Sequence, residues 1–158
     1  MAEPEWLTPV EHDAWMALAE VLFVLPAALE SQLQRDADLA MADYMVLVML
    51  SECEDRRMRM SELASSASTS QSRLSRIVAR LEAAGYVTRE MATDDRRAVI
   101  ATLTESGLAK LVAAAPGHVA QVRRLVFDRL TPAQVLSLTE IAGALTHPDD
   151  HSACDAAS

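Results

Sequence analysis

Apolar residues recur at helical spacing in two long stretches of the chain. Trp15, Leu18, Leu22, Leu25, Leu29 and Leu33 step by three or four residues and form one stripe. Thr8-Pro9-Val10-Glu11 opens that stretch as a capping box with proline at the first helical position, Pro26 predicts a kink, and the polar segment 36–38 predicts the end. Leu108, Leu111, Val112, Ala115, Val119, Val122 and Val126 form the other stripe, which Thr104 caps and Pro116-Gly117 should bend. A last helix begins at the second capping box, Thr131-Pro132-Ala133-Gln134, and runs to about Leu145.

Between these long helices the pattern changes. Residues 41–51 hold "YMVLVML", apolar nearly all round, which predicts a central helix. "ECEDRRMRM" reads as a charged connector. Ser61 is the expected cap of a short helix over 62–67, and Ser70 the cap of a longer one over 71–84 that Gly85 ends. "YVTRE" (86–90) and "AVIATLT" (98–104) are β-branched runs around the polar tip "MATDDRR", which predicts a two-stranded hairpin. The expected class is therefore mainly α with a small β-hairpin. Residues 39–103 form a compact lobe, 8–35 and 104–146 a helical region, and 147–158 a loose tail. The terminal stripes exceed what so small a lobe can cover, so a homodimer is the expected home for them.

Charge sharpens the picture. The chain has a formal net charge of −9 over 158 residues, but residues 1–55 carry twelve acids against one base and residues 56–97 nine arginines against five acids. A basic middle is thus hidden in an acidic chain, and local charge is what a phosphate backbone meets. A short helix, a tight turn and a longer helix make a helix-turn-helix. The first two turns of its second helix offer Gln71, Ser72, Arg73, Ser75 and Arg76, side chains that suit a major groove. Arg96 and Arg97 at the hairpin tip suit a narrow minor groove. Arg80 reads equally as half of an ion pair, with Glu82 nearby, or as a phosphate contact.

"LASSASTSQSRLSRIVARLEAAGYVTREMATDDRRAVIATLTESG" resembles the winged helix-turn-helix of MarR-type bacterial transcription regulators. Asp94-Asp95-Arg96-Arg97, the strand after it and Leu103-Thr104-Glu105-Ser106-Gly107 match the family's wing pattern, and "RIVARLEAAGYV" its exit from the recognition helix. The resemblance spans about residues 12–145. It implies that Ser70 to Arg76 begin the recognition helix, that Arg97 reaches the minor groove with Asp95 holding the wing, and that Arg96 contacts phosphate. It also implies a dimer on double-stranded DNA, most simply a repressor on a pseudo-palindromic operator, released by a small aromatic or anionic effector. Trp15 and Tyr44 lie on the helices where such a pocket would form, although both also suit core or dimer packing. The chain departs from the pattern at Ala40, where the family usually has a Ser or Thr cap, and has no cysteine in its first helix, so the hydroperoxide-sensing mechanism of one branch is not inherited.

Other chemistry finds little support. Cys53 and Cys154 have no metal-like spacing, and Asp94 and Asp95 lack further ligands. No nucleophile–base pair or cofactor loop stands out, so neither an enzyme nor a cofactor is expected. His12 and His118 are isolated, and Met58 and Met60 suit packing under the lobe. No uninterrupted apolar run approaches ~20 residues and the N-terminus lacks a basic signal region, which points to the cytoplasm and away from membranes. The rival reading is a winged helix used for protein interaction or ligand storage. Salt-dependent binding to promoter DNA separates the two.

Overall fold

The computed structural model describes residues 5–92 and 98–146. Two compact units divide after Val119. In the first, α1 (Pro9–Ala37) starts at the expected capping box: Glu11 N–H donates to Thr8 Oγ1 and Thr8 N–H to Glu11 Oε2, at 3.3 and 2.7 Å. The helix continues through Pro26, and what stops it is Asp38, in the left-handed region at φ 47°. α2 (Met41–Ser51) is the predicted central helix and buries Tyr44, Val46, Leu47 and Leu50.

The connector after α2 departs from expectation. Glu54–Arg56 makes one tight turn, and Arg57–Arg59 then forms a strand, β1. α3 spans Met60–Ser66, so Ser61 lies inside the helix and Arg59 stands at its N-cap without a side-chain cap bond. α4 (Gln71–Ala83) follows, with Ser70 as cap and Gly85 at φ 76° beyond its end, both as predicted. β2 (Val87–Met91) and β3 (Val99–Leu103) pair antiparallel, and β1 adds to the other side of β3, so the hairpin is two-thirds of a three-stranded sheet ordered β1-β3-β2. Arg57 lies opposite Thr102 and Arg59 opposite Ile100. Arg57-Met58-Arg59 alternates, but three residues are too few for alternation to mark a strand, and its identity comes from the edge of β3 that it covers.

The core is formed by α2, α3, α4 and the sheet, with Leu47, Leu50, Leu63, Leu74, Val78, Leu81 and Val87 fully buried. Of the six stripe residues on α1, only Leu33 is buried. Trp15 is 54% exposed and Leu22 57%, so the stripe exists and the single chain leaves most of it uncovered. α1 is also long and apolar enough, by length and composition, to cross a membrane. That differs from the expectation drawn from uninterrupted runs, because Glu20 is the one charge between Ala14 and Leu29.

α5 (Glu105–Leu125) is one helix through Pro116-Gly117. The second unit, from Ala120, holds the end of α5, a short turn at Phe127–Arg129 and α6 (Pro132–Thr146), which opens on the predicted capping box at Thr131 and Gln134. α6 has no buried residue, and Leu136, Ile141 and Leu145 are all more than half exposed.

Candidate nucleic-acid interface

α3, the turn Ala67-Ser68-Thr69 and α4 form the helix-turn-helix. α4 presents two faces. Leu74, Ile77, Val78 and Leu81 are buried in the core, while Ser70, Gln71, Ser72, Arg73, Ser75 and Arg76 are all exposed. The spacing alone sorts them, because residues three and four apart share a face. The helix start is held from within: Arg73 N–H donates to Ser70 Oγ at 3.3 Å, and Ser70 and Ser72 share a hydroxyl contact at 3.2 Å. The remaining first-turn N–H groups and the positive end of the helix dipole point outward with Gln71 and Ser72, where they suit a phosphate.

The arginines of the basic middle divide sharply. Arg56 pairs with Glu105 at 2.8 Å, Arg57 with Glu90 at 3.1 Å and Arg89 with Glu82 at 2.5 Å. Hydrogen bonding from Arg89 holds the Glu82 carboxyl below its ordinary range. Arg80 is the ion pair of the two readings open to it, but its partner is Asp43 of α2 and not Glu82: Nε and Nη2 reach the two carboxylate oxygens at 3.0 and 2.5 Å. Arg59 also has a partner. Among the described residues, Arg73 and Arg76 make no hydrogen bond or ion pair, so the free positive charge of α4 is concentrated in its first two turns. The wing strands carry the sheet to Ala92, whose N–H donates to Ala98 O at 2.9 Å. Asp95, Arg96 and Arg97 lie outside the described residues, as do Asp94 and Cys154.

The wing's base explains the "LT…G" signature physically. Leu103 is buried. Thr104 N–H donates to Tyr86 O at 3.0 Å, its hydroxyl donates to Gly85 O at 2.8 Å, and that hydroxyl accepts Gly107 N–H at 3.0 Å. Gly107 packs so closely on this turn that a Cβ would lie 2.7 Å from Leu103 Cδ1 and 2.9 Å from the Tyr86 carbonyl carbon.

The crystal structure of Sco3205 from Streptomyces coelicolor, a MarR family transcriptional regulator in complex with DNA, is 45% identical to this chain, with a TM-score of 0.89 over 98% of this chain and 97% of that one. This chain belongs to the MarR family. A sequence model of the family matches residues 39–99, the lobe that holds the helix-turn-helix. AbsC, a second MarR family regulator from S. coelicolor, is 45% identical with a TM-score of 0.84, over 94% of this chain and 97% of that one. An HTH-type transcriptional regulator of Escherichia coli, PrsX, is 33% identical over 106 residues, 67% of this chain; the match spans 54% of PrsX. MarR family members are DNA-binding transcription regulators and not enzymes, and the chain takes that class with the family. The mostly helical fold with its small sheet is the winged helix that the resemblance implied.

The interior shows what the pattern alone missed. Asp43 is 5% exposed, the single charge in an otherwise apolar helix. Ala40 makes no side-chain cap bond, and Glu30 of α1 substitutes for it: Met41 N–H donates to Glu30 Oε2 at 2.7 Å. Lone acids at 30 and 43 were visible in the sequence as charges interrupting apolar runs, but nothing there named their partners. Tyr44 is buried and packs against His118 at a tilt of 48°, with ring centroids 4.6 Å apart, while Trp15 stands exposed on α1. His118 Nδ1 meets buried Gln32 Oε1 at 3.3 Å, and burial pulls the imidazole below its ordinary pKa. Cys53 donates its thiol to Met49 O at 3.1 Å.

Proposed function

We propose that the chain is a homodimeric repressor that reads a pseudo-palindromic operator through the start of α4. The observation that carries this is the exposed row Ser70, Gln71, Ser72, Arg73, Ser75 and Arg76, with two arginines free of partners among the described residues. Arginine can fork to guanine and Gln71 to adenine, while the serines allow close approach. In this reading residues 39–103 dock, with Arg96 and Arg97 on the wing reaching phosphate and minor groove and Asp95 supporting them. Residues 8–35 and 104–146 dimerise, and 147–158 form the tail. The uncovered stripe of α1 and the exposed apolar residues of α6 support a second copy, because burial of such surface is what drives association. The acidic N-terminal region discourages indiscriminate DNA contact, and the protein works in the cytoplasm, where its DNA is.

The effector, a small aromatic or anionic molecule, releases the operator. The resemblance supports it, and the exposed Trp15 indole offers an aromatic surface on α1. Footprinting on the DNA upstream of its own gene tests the reading. Two protected half-sites one helical turn apart, ~10 base pairs, are expected, with protection that weakens steeply as salt rises. An unprotected fragment at low salt refutes operator binding, a monomer in sedimentation refutes the dimer, and protection unchanged by a panel of phenolic and carboxylate compounds refutes the effector.

A further inference from the structure

Arg73, Arg76 and Arg80 line one open groove of about 830 Å³ together with Glu30, Ala40, Met41, Ala42 and Ile77. They stand at i, i+3 and i+7 on α4 and share a face. Only Arg80 is neutralised. Its guanidinium is held at two points by Asp43, whose side chain is 7% exposed, while the Arg80 side chain itself is 56% exposed. Hydrogen bonding to Asp43 is the main reason Arg80 stays protonated more firmly than usual; burial opposes it, and the charges of Asp43 and Glu30 add to it. Glu30 is in turn fixed on the start of α2 by the Met41 N–H bond. A cation that could add to the DNA-facing row of α4 is therefore tied to the protein by a buried carboxylate, with the charge of a second acid from α1 acting on it.

We propose that Asp43 sets the protein's general affinity for DNA: by holding Arg80 it withholds a sequence-independent phosphate contact and fixes the far end of the recognition helix. This rests on the reading of α4 as the DNA-reading helix. A lysine or arginine that engages a phosphate releases counterions and adds about 0.9 to the slope of log K against log salt. Between 1 M and 0.1 M salt that one contact changes affinity about eightfold. Such a gain accrues on any sequence, so it raises the overall affinity for DNA and its salt dependence and leaves the ratio between sequences as it was.

The test measures salt slopes and affinities of the full-length protein on two duplexes. One is a sequence selected by the wild-type protein from random DNA, and the other is the same duplex scrambled. Asp43→Asn keeps the shape, removes the charge that neutralises Arg80 and leaves the guanidinium at most one acceptor. The expected result is a slope steeper by about 0.9 per protomer on both duplexes, with the selected-to-scrambled preference unchanged within error. An unchanged slope, or a slope that steepens on the selected duplex alone, overturns the proposal. Arg80→Gln is the companion, since its amide still donates to Asp43. It should leave the slope on scrambled DNA as in the wild type, and a slope flatter by about 0.9 overturns the proposal by making Arg80 a contact already in use. If Asp43→Asn does not fold, the Arg80→Gln slope decides alone. Failure to select any sequence refutes the DNA-reading function instead, and the slopes on scrambled DNA are read independently of it.

Discussion

Gly107→Ala sets two physical effects against each other. Glycine in the first turn of α5 costs helix stability, and alanine there recovers up to about 1 kcal/mol if nothing else changes. The structure predicts the opposite sign. The new Cβ would lie 2.7 Å from Leu103 Cδ1 and 2.9 Å from the Tyr86 carbonyl carbon, and still closer to the Tyr86 oxygen. The Leu103 methyl can turn aside, but the carbonyl is backbone and cannot. To make room, α5 must lift from the α4–β2 turn, which strains both Thr104 bonds to Gly85 and Tyr86. Overpacking costs about 1–3 kcal/mol and each weakened hydrogen bond about 1 kcal/mol. After the helix gain is deducted, a net loss of about 2–4 kcal/mol remains, a large share of a stability of about 5–15 kcal/mol. Urea unfolding followed by circular dichroism measures it. Gly143→Ala is the contrasting helix glycine: its Cβ would meet nothing of its own chain within 4 Å, so it should stabilise the protomer by up to about 1 kcal/mol. If both variants raise the midpoint, the close approach at Gly107 is wrong.

Three more outcomes are open to measurement. Ser68, in the helix-turn-helix turn, sits at φ 46°, a region that favours glycine; Ser68→Gly should raise stability by about 0.5–1 kcal/mol, and a loss of that size would deny the strain. Burial lowers the His118 pKa, so below about 6.5 the unfolded chain binds a proton that the folded one declines, and stability falls as pH drops. His118→Asn, which can still donate to Gln32, should flatten the stability curve between pH 7 and 5.5, and an unchanged curve removes His118 as its cause. Arg76→Ala should relax base preference at one operator position by about 1–3 kcal/mol, whereas a uniform loss over all sequences would make it a phosphate contact.

The legible parts of the chain are those whose cause is local. Capping boxes at Thr8 and Thr131, the Ser70 cap and the Gly85 terminator act within a few residues, so each could be read from its neighbours, and each stands where expected. The sorting of α4 into a buried face and an exposed row was legible for the same reason, since helical period alone decides it. Two local readings were corrected by the structure. Ser61 lost the cap position because α3 begins one turn-half earlier, straight from the strand before it. The connector before it became β1 because β3 had an edge to pair.

What the sequence by itself determined is therefore the set of helices, the helix-turn-helix and the identity of the side chains exposed at the start of α4. Their causes lie in short-range periodicity and capping. The tertiary structure alone decided which charges stay free. Arg80 and its acid Asp43 are 37 residues apart, the missing cap at Ala40 is supplied by Glu30 from another helix, and Arg56 meets Glu105 across 49 residues. Such pairings depend on where chain segments come together in space, and no local pattern encodes it. A row of three arginines in the sequence thus became, in the fold, two open cations and one held by a buried carboxylate.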